Sequence, residues 1–361
     1  MRLLTVISEL GVGGAEVVAV TLATSAAADG HDVVVASGPG HRIERLRHLG
    51  VQHLPVPLVG RSPVDLARAL GRLRSLPRPD LVHAHNPKAT LLARLAVGGE
   101  VPILTTLHGV PDEEGARAAR ILRWASDRVV AVSPHVGDRL ARDGFPLGRM
   151  DVVTNAVEPL PSYPRSLARA ELGLAPDTLV GLCPARMVDQ KRHDLLVEAW
   201  SWIGDRAVLL LAGDGPRRPE VASAVARLGL GDTVRLLGER SDMARLLAAS
   251  DLLVLPTDWE GLPISVLEAF AAGVPVVASR VAGLVEHFAG AVRFVEPGSV
   301  GSLVEGLHEV LGSPALRSGL VARGRVVVEG YGAGAMEARY RDIYAQLVGS
   351  PTGVLAPGGN R

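Results

Sequence analysis

An α/β fold of two successive doubly wound, parallel-sheet domains is what this sequence predicts, on three observations. Short apolar runs alternate with amphipathic stretches along most of the chain, the pattern of strands joined by crossover helices. A glycine-rich turn, Gly11-Val-Gly-Gly-Ala-Glu16, directly follows the first apolar run. The alternation lapses at Asn155-Ala-Val-Glu-Pro-Leu-Pro-Ser-Tyr-Pro164, where three prolines make a semi-rigid connection, and then resumes.

In the first series the expected strands are Leu3–Ser8, Asp32–Ala36, Val51–Val56, Leu81–Ala84, Ile103–Leu107 and Arg128–Val132. Helical spacing covers Ala15–Ala28, Pro63–Ser75 and Pro87–Ala96. The second series opens at Leu179–Pro184 and continues near Ala207–Ala212, Thr233–Leu237, Asp251–Leu255, Pro275–Ala278 and Val292–Val295. A last helix is expected over Ala333–Val348. The boundaries drawn are residues 1–158 and 159–332 for the two domains, 333–348 for a C-terminal helix returning to the first domain, and 349–361 for a Gly/Pro-rich, disordered tail. A ligand is expected in the cleft between such domains, at the carboxyl ends of strands.

Composition bounds the function. A chain of 361 residues, 47% apolar and 21% charged, has room for two globular domains. Zero formal net charge argues against a general nucleic-acid binder. The single cysteine, Cys183, excludes an intramolecular disulfide and a cysteine-rich metal site, and fits a reducing compartment. The apolar start is too short for a signal peptide, and the glycine turn after it suits a strand feeding a helix. No apolar run approaches the roughly 18 residues that span a bilayer. The expected location is therefore cytoplasmic. Of 38 basic residues only Lys88 and Lys191 are lysines, which makes Lys191 conspicuous.

The most informative stretch is Asp258-Trp-Glu-Gly-Leu-Pro-Ile-Ser-Val-Leu-Glu268. It places Glu260 in a strand-to-helix loop and Glu268 about two turns down the helix that follows. Free N–H groups at that helix start favour a phosphate. Pro263 has none, so the useful donors are those of Ile264 and Ser265. One carboxylate above such an anion site and one beside it suit a nucleotide sugar. Upstream, Pro184-Ala-Arg186-Met-Val-Asp-Gln-Lys191-Arg192 follows the first strand of the second domain. Cations there oppose the helix dipole unless an anion is bound. The segment reads either as a diphosphate site, Arg186 forking and Lys191 a point charge, or as a solvated basic turn. The glycine turn at Gly13 and Gly14 admits phosphate contact or a plain tight turn. Gly213-Asp-Gly-Pro216 reads as a turn with Asp214 capping a helix. His108, in Thr106-Leu-His-Gly109, ends a strand and would face the cleft. His83 and His85 end the preceding strand, but no nearby carboxylate or cysteine completes a metal site.

Taken together, these pieces resemble the family-4 retaining glycosyltransferases of GT-B architecture, which use nucleotide sugars. The resemblance runs in order over nearly the whole chain: Gly13-Gly14, Thr106-Leu-His-Gly109, Val132-Ser-Pro134, Asn155-Ala-Val157, Arg186 with Lys191, Gly213-Asp-Gly-Pro216, Glu260 with Glu268, and Gly273-Val-Pro-Val-Val-Ala-Ser279. It implies that Glu268 binds the ribose hydroxyls and Glu260 faces the donor sugar. Backbone amides around Leu262, Ile264 and Ser265 would lie between them. Arg186 and Lys191 would neutralise the diphosphate, Gly14 would meet it from the other domain, His108 would approach the sugar, and Arg240 would border the base. The sequence has Asn155-Ala-Val where the family more commonly has Asn-Gly-Val, which weakens any specific role for Asn155. The segment Val285–Phe294 is also shorter than in relatives.

The expected reaction is sugar transfer from a nucleoside diphosphate, UDP first and GDP next, to an acceptor hydroxyl with retained configuration. No metal or other cofactor is expected, because no DxD-type motif appears and Arg186 and Lys191 take the cation's place. An epimerase or hydrolase on the same fold, and a non-catalytic nucleotide-sugar sensor, are the alternatives. The acceptor could be a small molecule, a saccharide or a lipid-linked sugar. Residues 41–78 carry eight arginines (42, 45, 47, 61, 68, 72, 74 and 78) against Glu44 and Asp65. That face reads either as a solvated helix surface or as a contact with a phosphorylated acceptor or with anionic lipid, peripheral at the inner face of a membrane.

Overall fold

The apolar runs form two separate, all-parallel sheets. The computed structural model describes residues 1–11, 13–60, 62–205 and 207–349. Seven strands make the first sheet: β1 Arg2–Val6, β2 Asp32–Ser37, β3 Gln52–Pro55, β4 Leu81–Ala84, β5 Ile103–Leu107, β6 Arg128–Ala131 and β7 Met150–Val152. The second sheet has six: β8 Leu179–Pro184, β9 Ala207–Ala212, β10 Val234–Gly238, β11 Leu252–Leu255, β12 Val276–Ser279 and β13 Val292–Val295. Their orders are β3-β2-β1-β4-β5-β6-β7 and β10-β9-β8-β11-β12-β13. In each, the strand order reverses beside the first strand, the switch point at which open α/β sheets bind ligands. In the second sheet that point lies between β8 and β11, paired at Leu252 with Gly181 and Leu253 with Leu182.

The inner strands of both sheets are buried on both faces, which is why they read as continuous apolar runs rather than alternations, whereas β3, β7 and β10 are only partly buried. β9 and β11 are buried at every position. Contacts divide the chain into one unit of Met1–Gly11, Ala15–Val153 and the segment from Gly334 onward, and a second holding Thr154–Ala333 with Gly13 and Gly14. β7 was not expected from the sequence: its three residues, Met-Asp-Val, are too few to show a period. The last helix is Ala333–Gly349, so Gly349 is helical. Residues 350–361, where the tail was placed, lie outside the described residues.

The first unit is closed by a polar network that includes the last helix. His83 Nδ1 shares a hydrogen bond with the Tyr344 hydroxyl at 2.8 Å, and His83 Nε2 one with Thr106 Oγ1 at 2.8 Å. Thr106 Oγ1 in turn meets the Tyr340 hydroxyl at 2.8 Å. His85 Nδ1 lies 3.3 Å from His108 Nε2. Burial lowers all three histidines from the ordinary 6.5, His83 and His108 to about 3 and His85 well below. Each is neutral in the folded chain.

Two outcomes follow for stability. Tyr344→Phe leaves buried His83 Nδ1 without its partner and should cost about 1–3 kcal/mol in urea unfolding of the first unit. The histidines bind protons more readily unfolded than folded. Stability should thus be complete above pH 6.5 and fall as pH drops toward 3, by up to about 1.4 kcal/mol per pH unit for each histidine. Melting temperatures between pH 7.5 and 5 would check it; a flat profile contradicts a neutral buried cluster.

Candidate functional site

The site in the second unit is assembled by two loops that follow β8 and β11. After β8 the chain turns through Arg186, enters a short 3₁₀ turn at Asp189–Lys191, and starts the helix His193–Trp200. After β11 it runs through Pro256–Pro263 into the helix Ile264–Ala271. The two loops bind each other directly. Gln190 donates its side-chain amide to the Trp259 carbonyl at 2.7 Å, and its own carbonyl accepts the Asp258 N–H at 3.0 Å. The Thr257 hydroxyl lies 3.1 Å from the carbonyls of Gln190 and Trp259 and from Glu260 Oε1, and donates to one at a time. The Thr257 N–H donates to Ser279 Oγ at 2.9 Å.

At the centre Lys191 Nζ donates to Glu260 Oε1. The side chains are only 17% and 8% exposed, so solvent screens this pair far less than a surface pair. The ammonium has three N–H donors, and Glu260 uses one of them, leaving two for a second anion. Beyond Glu260 the chain reaches buried Leu262 and Ile264 and half-buried Ser265. No side chain caps the helix start at Pro263. Glu268 is half-buried further along the same helix.

Three residues that the sequence left without a role hold this loop in place. Asn155 is buried and donates its side-chain amide to the Leu262 carbonyl at 2.9 Å. The expectation that alanine after Asn155 weakens its role is therefore corrected: the side chain makes the contact, whatever follows it. Gly283 packs under the loop, where an added Cβ would stand 2.2 Å from the Glu260 carbonyl oxygen. Arg192, beside Lys191, has φ 45°, the one non-glycine positive φ among the described residues. It forks onto Asp194 at 3.1 and 3.0 Å and reaches Asp258 at 3.1 Å.

The other expected site residues fall in various settings. Arg186 is exposed in the loop after β8. Arg240 is paired with both oxygens of Asp242, at 2.8 and 2.6 Å. Asp214 does not cap a helix, a second correction. It accepts from the Gly215 N–H at 2.7 Å and meets Arg218 at 3.3 Å, while the helix Arg218–Arg227 starts after Arg217 without a side-chain cap. The adjacent Gly213 approaches the β8 loop so closely that a Cβ would lie 2.1 Å from the Ala185 carbonyl oxygen. Gly13 lies in a bend and Gly14 begins the helix Gly14–Ala28. His108 belongs to the first unit, and its Nδ1 is buried without a partner. Among the described residues no group of three or more His, Cys, Asp and Glu is placed to hold a metal ion. Burial pushes the Cys183 thiol up to about 12, so it is no nucleophile near neutral pH.

Arg192 gives a direct check. Alanine there loses the ion pairs and keeps an unfavourable φ, whereas glycine loses the pairs but takes φ 45° freely. Arg192→Gly should be more stable than Arg192→Ala by about 1 kcal/mol in urea unfolding. Equal stability would mean that the turn relaxes.

Comparison with known proteins agrees with this architecture. Residues 12–159 match the model described as Glycosyltransferase Family 4, and residues 178–313 that described as Glycosyl transferases group 1. The chain is 28% identical over 296 residues to N-acetyl-alpha-D-glucosaminyl L-malate synthase of Bacillus anthracis, covering 76% of this chain and 78% of that protein. It is 36% identical over 180 residues to the GDP-mannose-dependent monoacylated alpha-(1-6)-phosphatidylinositol monomannoside mannosyltransferase of Corynebacterium glutamicum, 46% of each. The solved structure of Anabaena Alr3699/HepE in complex with UDP and glucose superposes with a TM-score of 0.81 at 20% identity, over 96% of this chain and 99% of that one. The chain belongs to family 4 of the glycosyltransferases and has the GT-B architecture.

Proposed function

We propose that the second unit binds a nucleoside-diphosphate sugar and that the enzyme transfers the sugar to an acceptor hydroxyl with retention of configuration. The observation that carries this reading is the Lys191–Glu260 pair beside an uncapped helix start. A diphosphate would take the two remaining Lys191 donors, the Arg186 guanidinium and the N–H groups of Ile264 and Ser265. Glu260 would then accept from a sugar hydroxyl, and Glu268 from the ribose. The leaving diphosphate gains charge as the glycosidic bond breaks, and fixed cations stabilise that charge. The acceptor attacks from the face the diphosphate leaves, and a phosphate oxygen takes the acceptor's proton. No protein base is needed.

UDP is the first nucleotide to test, since the similar Anabaena structure holds UDP. GDP is the next, on the name of the Corynebacterium enzyme. Acceptors differ among the relatives, from L-malate to a phosphatidylinositol mannoside. We infer that the acceptor is small-molecule, saccharide or lipid-linked, and that Arg186 and Lys191 serve in place of a divalent ion.

Lys191→Ala should lower kcat by about a hundredfold, the usual cost of roughly 3 kcal/mol for losing one preorganised charge contact. Turnover at the parent rate in a folded variant would refute the diphosphate assignment. A chelator should leave the rate unchanged; loss restored by Mg²⁺ or Mn²⁺ would show that the two cations do not suffice. Donor incubated without acceptor should stay intact, whereas an epimerase or hydrolase would convert it.

A further inference from the structure

The basic surface that the sequence offered to lipid, residues 41–78, is largely consumed by the fold. Arg42 donates to the Gly11 carbonyl and Arg72 to the Pro55 carbonyl. Arg74 donates to the Leu95 carbonyl at 3.0 Å. Arg78 pairs with Glu100 at 2.5 Å, and Arg68 with Asp65 at 4.0 Å. Arg61 lies outside the described residues. A different surface of the same unit has the opposite character.

The helix Gly115–Ala125 carries Arg117, Arg120 and Arg123 and no carboxylate along its length. All three arginines are exposed. Among the described residues none of them forms a salt bridge. Arg117, Arg120 and Trp124 stand at i, i+3 and i+7, one face of the helix, with Arg123 at its margin. Ala118, Ala119, Leu122 and Ala125 are buried on the opposite face, so the arginine face is turned outward. Trp124 is 60% exposed. Next to the helix end, Arg149 donates to the carbonyls of Arg123 and Ser126. This fastens the 3₁₀ turn Leu147–Arg149 there and presents Leu147, 69% exposed. The nearby acids are peripheral: Glu113 and Glu114 precede the helix, Asp143 packs beside Gly115, and Asp127 is held by Arg94 at 2.5 Å.

We propose that this face is a docking surface for an anionic lipid bilayer. Three arginines without counter-charges demand an anionic partner. Exposed Trp124 among them, with exposed Leu147 in the adjoining turn, suits a partner that has an apolar layer beneath its charges, as a bilayer has. An interfacial helix with Trp or Leu among arginines has this composition, and Trp is favoured at headgroup depth. No helix among the described residues is long and apolar enough to cross a membrane, so the contact is peripheral. It stands independently of the donor assignment, because vesicle binding requires no nucleotide.

Sedimentation of the full chain with phosphatidylglycerol/phosphatidylcholine vesicles at low salt tests it. The protein should pellet with these vesicles, be released by high salt, and ignore pure phosphatidylcholine. Serine at Arg117, Arg120 and Arg123 together should weaken partitioning on the order of a hundredfold; serine at Arg47, Arg68 and Arg78 should change it little. Brominated lipid should quench the fluorescence of the parent protein and quench Trp124→Phe much less, a readout independent of how well the arginine variant folds. Failure to pellet at low salt overturns the proposal. So does equal binding to zwitterionic vesicles, a larger loss from the Arg47/Arg68/Arg78 variant, or quenching unchanged by Trp124→Phe.

Discussion

A cation and a carboxylate withdrawn from water and held against each other, Lys191 and Glu260, set the terms for everything around them. Neither could be buried alone, since an unpaired buried charge costs several kcal/mol. Together they are tolerated only if their loops are fixed independently of the pair. The fold provides this by binding Gln190 to Asp258 and Trp259, and by suspending the loop between Asn155 on one side and Gly283 on the other. The pair rests on a framework that already exists, so its ammonium can keep two donors for an incoming anion.

The parts legible in the sequence are those whose cause is local. β4, β5, β8, β9 and β13 fall at the expected bounds, because a strand buried on both faces needs a short apolar run between turn formers. Glu260 and Lys191 stood out because an acid in a strand-to-helix loop and a lone lysine after a strand are unusual in themselves. The contact between them was not legible: 69 residues separate them. Thr257, Asn155 and Gly283 were missed for the same reason. A threonine, an asparagine or a glycine acquires its role here only from a carbonyl brought close by another element. Arg192 was obscured differently, since a basic residue gives no local sign of a left-handed backbone. Asp214 misled because Asp after Gly at a strand end is a good capping pattern, while here the helix begins four residues later at Arg218.

The histidines show how much setting outweighs residue type. His83, His85 and His108 lie within one cluster, and burial makes each neutral. A neutral imidazole with hydrogen bonds to Thr106 and Tyr344, as at His83, is a structural crosslink that ties the last helix to the first sheet. His108 shares that environment: one nitrogen faces His85 and the other is buried. Burial thus keeps its imidazole neutral near neutral pH.

Arginine, the dominant cation of this chain, makes the same point. Arg169 is buried and bonds to Asp251 and to the Ala249 and Pro176 carbonyls, so its charge is spent on holding loops. Arg192 and Arg240 are each forked onto a neighbouring aspartate, which fixes the planes of their guanidinium groups. Arg117, Arg120 and Arg123 are exposed, with no such partner among the described residues. Zero net charge is therefore compatible with a strongly basic surface, because carboxylates neutralise the arginines that build the fold and leave others exposed. What an arginine does in this protein depends on whether an acid or a carbonyl lies within its reach, and that is decided by the packing of the helices and loops that carry it.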